Sequence, residues 1–115
     1  MAKSNKPIFW GLFAAGGTLA AFFTPVMVFV TVLAVPLGIM DPEVLAYDRV
    51  HAFLANGFWK LVMFVFITLS FWHAAHRLRV VAHDFGMRSD GLVATVVYLF
   101  AAAGTLVAAV YLLRI

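Results

Sequence analysis

Three long stretches without Asp, Glu, Lys or Arg constrain this chain more than any other feature. No such charge stands between Pro7 and Met40 (34 residues), between Leu61 and His76 (16 residues) or between Gly91 and Leu113 (23 residues). A helix that crosses a bilayer needs about 20 predominantly apolar residues, so the first and third runs suffice alone. The second is bounded by Lys60 and Arg77, 17 positions apart, roughly 26 Å along a helix at about 1.5 Å per residue. Long basic side chains reach outward from both ends, and the helix is expected to continue past them, from about Val50 to Val81. One of the two charges then sits at the margin of the apolar zone, facing protein rather than lipid. Composition closes off the alternatives. Of 115 residues, 65% are hydrophobic and 11% charged, against roughly 25% charged in an ordinary soluble domain. So few charges cannot cover the surface of a small globule, and a disordered chain needs the opposite balance. The runs are continuous, whereas barrel strands alternate over about 10 residues. The fold class is therefore all-α: an integral membrane three-helix bundle in one domain over residues 1–115, with spans at about 10–37, 55–80 and 91–113.

Breaks and charges arrange the spans. Pro36-Leu37-Gly38 reads as the exit from the first, since both Pro and Gly weaken a helix. Pro25 should kink or loosen the same span, which a membrane helix tolerates when neighbours satisfy the freed carbonyl. Asp41-Pro42-Glu43 has the form of a helix start, with a capping acid and a Pro in first position, and is expected to open a short interfacial helix. Lys3 and Lys6 flank the first span, and Arg77, Arg79 and Arg88 lie in or near the second loop. The first loop is acidic (Asp41, Glu43, Asp48), although Arg49 and Lys60 lie near it, and Arg114 stands alone at the far end. By the positive-inside rule the N-terminus and second loop are cytoplasmic and the C-terminus periplasmic. The first apolar region exceeds the roughly 7–15 residues of a signal peptide and no A-x-A site follows a short core, so it is expected to be a retained span. The net charge of +3 is scattered between apolar runs, which fits orientation in a membrane and not nucleic acid. There is no cysteine, and hence no disulfide, thiolate metal site or iron–sulfur ligation within the chain.

Chemistry is concentrated at the inner end of the second span, FWHAAHRLRVVAHD, Phe71 to Asp84. Spacing by three and four puts His73, His76, Arg77 and Val80 on one helical face, with His83 returning near it. Ionisable residues inside a membrane face the bundle interior and mark sites; the bland alternative is that Arg77 and Arg79 only set topology while the histidines sit among headgroups. Neutral imidazole ligates haem iron, but His73 and His76 on one helix cannot approach one haem from opposite faces. Zinc is weaker still, because the acids are not grouped with the histidines. At the same depth on the first span stands Lys6-Pro7-Ile8-Phe9-Trp10-Gly11. The Trp10 indole is either part of the interfacial aromatic belt or a fixed N–H donor beside an apolar plane, a combination suited to a flat ligand with a carbonyl oxygen. Trp59 and Trp72 fit belt positions, and Gly17/Ala21 and Gly104/Ala108 are four-residue small pairs that permit close helix contact. A proton-coupled carrier is disfavoured because all five acids lie in or beside loops. A plain assembly protein without a ligand would need no meeting of Trp10 with Arg77.

In their order and spacing, several segments together resemble the D subunit of bacterial fumarate reductase. They are Phe9-Trp10-Gly11-Leu12-Phe13 with Gly16-Gly17, Pro25-Val26-Met27, Pro36-Leu37-Gly38, Tyr47-Asp48-Arg49-Val50 with Ala52-Phe53, and His76-Arg77 with His83-Asp84. The resemblance runs from about Pro7 to the end. It implies a multi-pass anchor of the bacterial inner membrane. That anchor pairs with a second three-helix anchor and holds an iron–sulfur subunit and a flavoprotein subunit that reduce fumarate in anaerobic respiration. It implies a menaquinone/menaquinol site shared with the partners, to which this chain contributes Trp10 and Arg77, with His76 adjacent, and no fumarate chemistry in the anchor itself. Flavin and iron–sulfur clusters belong to the partners, and no haem is expected; the haem-bearing anchor of succinate dehydrogenase is the nearest alternative. Arg79 and Val80 stand where members of the family carry further histidines, so a proton route here falls to His76, His83 or partner groups.

Overall fold

A computed structural model describes residues 4–115, so Lys3, which supported the orientation above, lies outside the described residues. The described elements are all helical, joined by turns: α1 Lys6–Val28, a π-helical continuation Phe29–Ala34, a short 3-10 turn Pro42–Leu45, α2 Tyr47–Ala55, α3 Gly57–Asp84 and α4 Asp90–Arg114. Three of these segments, Lys6–Ala34, Gly57–Asp84 and Asp90–Arg114, are long and apolar enough to cross a membrane.

The local signals act where the residues place them. Pro25 lies inside α1 and donates no N–H, and one turn later the hydrogen-bond ladder widens. Val35 N–H reaches the carbonyl of Val30 at 3.1 Å, and the Thr31 hydroxyl donates to the Met27 carbonyl at 2.8 Å. The widened turn ends in Pro36-Leu37-Gly38, where Gly38 takes φ +72°, a left-handed conformation that glycine adopts without steric cost. The Asp41 side chain accepts from the N–H of Glu43 at 2.9 Å and starts the 3-10 turn. One expectation changes. The helix from Val50 to Val81 is not continuous: Asn56 adopts an extended backbone, and its side chain accepts from Phe58 N–H at 3.0 Å to cap α3 afresh. The cause is chemical, because a side-chain acceptor offers an exposed N–H an alternative to the helical ladder. The interfacial piece is therefore a separate helix, α2.

Helix α3 is the centre of the molecule. It packs along both α1 and α4, which have little contact with each other. Both pairings are antiparallel: Phe13 meets His73 and Phe23 meets Phe66, while Trp72 meets Thr105 and Arg79 meets Asp90. The start of α1, the end of α3 and the start of α4 thus share one rim, and the acidic loop and Arg114 occupy the other. Small residues carry the closest contacts. Gly16 is buried against the Leu69 carbonyl, and an added Cβ would also lie 2.9 Å from His73 Cβ. At Gly104 it would lie 2.9 Å from the Phe71 ring. Only Ala34, Ala75, Ala101 and Leu112 are buried among the described hydrophobic side chains, and none of them is large and fully enclosed. Phe22, Val26, Phe29, Leu99, Phe100, Leu106 and many others face outward. Exposing a large apolar side chain to water forfeits about 1.5–3 kcal/mol, so these faces are built for lipid or another membrane chain.

Candidate functional site

Phe13 organises the rim shared by α1, α3 and α4. Its ring stacks on His73 (centroids 4.5 Å, planes 15° apart) and meets His76 edge-on at 4.7 Å. The Trp10 ring meets Phe13 in a T-shape at 5.6 Å. One phenyl ring therefore joins the tryptophan of α1 to the histidines of α3. Gly17 makes this approach feasible, because a Cβ there would stand 2.6 Å from His73 Cε1. The Trp10 side chain is 66% exposed, and its indole N–H has no partner among the described residues.

The histidine stripe expected from spacing is divided by its partners. His73 lies with Nδ1 at 2.9 Å from the Phe13 carbonyl. A carbonyl only accepts, so Nδ1 carries the proton there. His76 instead turns to α4, with Nδ1 3.1 Å from the Tyr98 hydroxyl, a group that both donates and accepts. Arg77 is exposed and forms no hydrogen bond or ion pair among the described residues. Arg79 is the arginine that is tied down: its Nε donates to Asp90 Oδ1 at 2.8 Å while a terminal nitrogen reaches the other carboxylate oxygen. This two-pronged pair clasps α3 to the first residue of α4, where a carboxylate also suits the positive end of the helix dipole. Trp72 does more than sit in a belt: its indole N–H donates to Thr105 Oγ1 at 3.2 Å, and its ring stacks on Tyr98 at 5.8 Å.

A polar cleft of about 360 Å³ opens beside this network, lined by His76, Arg79, Val80, His83, Asp84 and Asp90. Asp84 follows His83 directly in the sequence, and the antiparallel α3–α4 hairpin brings Asp90 back beside them. Among the described residues, no group of three His, Cys, Asp or Glu could hold a metal ion. A second, apolar cleft of about 440 Å³ is lined by Trp72, Ala94, Thr95, Tyr98, Leu99 and Ala102. Sequence reasoning singled out Trp10, His76 and Arg77 but missed Phe13, Tyr98 and the Arg79–Asp90 clasp. Arg79 and Asp90 are 11 positions apart across a helix break, and Tyr98 carries no motif signal.

Phe13 thus joins Trp10 to His76, whereas Arg77 has no hydrogen bond or ion pair that ties it to either of them among the described residues. Comparison with known proteins places the chain among fumarate reductase D subunits. The profile of the family described as the fumarate reductase D subunit matches residues 1–113. A fumarate reductase D subunit from Vibrio parahaemolyticus is 37% identical over 113 residues, covering 98% of this chain and 90% of that protein. Its namesake from Photobacterium profundum is 43% identical over 82 residues, covering 71% of this chain and 68% of that protein. The one from Aliivibrio fischeri is 36% identical over 113 residues, covering 98% and 94% respectively.

Proposed function

The chain belongs to the family of fumarate reductase D subunits, and on that premise we propose that it anchors the catalytic subunits of a quinol:fumarate reductase to the bacterial inner membrane and completes their quinol site. Its three membrane-spanning helices and its family make it a multi-pass membrane subunit of an oxidoreductase complex. In the proposed arrangement the N-terminus and the α3–α4 loop face the cytosol and the C-terminus faces the periplasm. The basic residues Lys6, Arg77 and Arg88 on one rim and the acidic first loop on the other support this orientation. The partners are a second three-helix anchor, an iron–sulfur subunit and a flavoprotein subunit, and the outward apolar faces suit the first of these.

One observation carries the site: Phe13 gathers Trp10 and His76 at a single rim, beside an Arg77 that no other described residue engages. Menaquinol, the proposed substrate, supplies two electrons and two protons. The indole N–H of Trp10 orients a ring oxygen. Arg77, permanently charged, donates to an oxygen as negative charge develops on it. His76 accepts a released proton, as imidazole does near neutral pH. The flavin and iron–sulfur clusters are the partners', and the protein's part is position and electrostatics. The reading includes no haem.

Arg77→Leu in the purified, assembled complex tests it. Quinol-driven fumarate reduction is expected to fall on the order of a hundredfold, while fumarate reduction driven by a soluble dye stays intact. Unchanged quinol turnover removes Arg77 from the site. The absorption spectrum of the same preparation separates this reading from a haem-bearing anchor, which would show a sharp b-type band.

A further inference from the structure

We propose that Tyr98 is a positioning residue whose hydroxyl, by donating to or accepting from His76 Nδ1, lets that imidazole take a proton from the ligand and release one into the adjacent cleft. The inference rests on the quinol reading above and names a residue on which that reading does not depend.

The two histidines of the rim differ in one decisive respect. His73 faces a carbonyl, which fixes its tautomer with the proton on Nδ1. His76 faces a hydroxyl 3.1 Å away, which serves either tautomer and the imidazolium alike by turning about its C–O bond. Nε2 of His76 has no protein partner among the described residues. His76 also lines the polar cleft, so it joins the Phe13 cluster to a water-accessible space. The titratable and charged groups around it are His73, Arg77, Arg79, His83 and Asp84 along α3, and Tyr98 and Asp90 on α4; α1 presents Phe13, which does not titrate. Arg79 is paired with Asp90 and also lies against the Tyr98 hydroxyl, so that hydroxyl stands between the guanidinium and His76.

With Nδ1–H donating to Tyr98 Oη, Nε2 is a free base. A quinol O–H bond breaks and an Nε2–H bond forms as the electrons pass to the iron–sulfur partner. The imidazolium then passes its Nδ1 proton to Tyr98 Oη as that hydroxyl gives up its own proton to water, which leaves the Tyr98 O–H donating to the vacated nitrogen. Nε2–H now faces the newly formed carbonyl as a donor. Once the quinone leaves, exchange with water restores the first tautomer. His76 so handles one of the two quinol protons, and the other leaves to water at the rim.

Tyr98→Phe isolates the hydroxyl, because the phenyl ring that stacks on Trp72 is kept. In the assembled complex, quinol-driven turnover is expected to drop about tenfold, part of what a positioned base supplies, with dye-driven fumarate reduction unchanged. Solid-state nitrogen NMR of complex carrying ¹⁵N-histidine only in this subunit gives a readout apart from activity. The His76 Nδ1 resonance should shift in Tyr98→Phe and that of His73 should not. A variant with wild-type rate and wild-type His76 resonance overturns the inference. If Arg77→Leu abolishes quinol turnover in the same series, only the Tyr98 role falls; if Arg77→Leu is also silent, the quinol reading falls with it.

Discussion

Gly16→Ala asks how closely α1 and α3 meet. A methyl group at Gly16 would press on the main-chain oxygen of Leu69 and lie 2.9 Å from His73 Cβ. Neither atom is the far end of a flexible side chain, so the helices must part by roughly an ångström to regain carbon contacts near 3.5–4 Å. Forcing a methyl into a tight contact costs about 1–3 kcal/mol, and replacing a helical Gly by Ala returns about 0.5–1 kcal/mol. The net loss is then about 1 kcal/mol, and the separation also draws Phe13 away from both histidines. Two controls bracket it. A Cβ at Gly11 meets nothing within 4 Å, so Gly11→Ala keeps only the helix gain of about 0.5–1 kcal/mol. At Gly104 the obstacle is the Phe71 ring, which can swing aside, so Gly104→Ala falls between the two. The assay is unfolding of the purified chain by titration from mild detergent into SDS, followed by tryptophan fluorescence. Gly16→Ala should unfold at the lowest SDS fraction of the three. If it resists as well as Gly11→Ala, the backbones do not approach at Gly16 and the register of α1 on α3 is wrong.

Asn56→Ala removes the acceptor for Phe58 N–H and should destabilise the start of α3 by about 1 kcal/mol, read in the same titration. Asp90→Asn unties the Arg79 clasp; the measurable consequence is faster protease cleavage between Phe85 and Ser89, and an unchanged cleavage rate would show that the clasp does not hold the hairpin. Because the chain has no cysteine, single cysteines at Ser4, Ser89 and Glu43 report sidedness cleanly. Membrane-impermeant reagents added outside intact cells should label only the Glu43 position, and labelling of Ser4 and Ser89 on opposite faces would refute the antiparallel placement. Trp10→Phe keeps the aromatic contact with Phe13 and deletes the indole donor, so it should weaken quinol turnover on the order of tenfold or more without altering dye-driven reduction.

The sequence by itself determined that the chain is three apolar helices and where two of its breaks fall. Hydropathy over about 20 residues is a local property, and Pro36-Leu37-Gly38 and Asp41-Pro42-Glu43 act through their own backbones. The separate cap at Asn56 was written in the sequence too, but the continuity of the surrounding apolar residues masked it. Tertiary structure alone decided the partners. Two helices with such even apolar faces can meet at many rotations and registers, and the close contacts at Gly16, Gly17 and Gly104, with the Trp72–Thr105 bond and the Arg79–Asp90 clasp, select one. That selection puts Phe13 between Trp10 and His76, turns His73 to a carbonyl and His76 to a hydroxyl, and returns Asp90 to Arg79. Residue type and spacing marked who could do chemistry at the rim; the packing of α3 between α1 and α4 decided with whom.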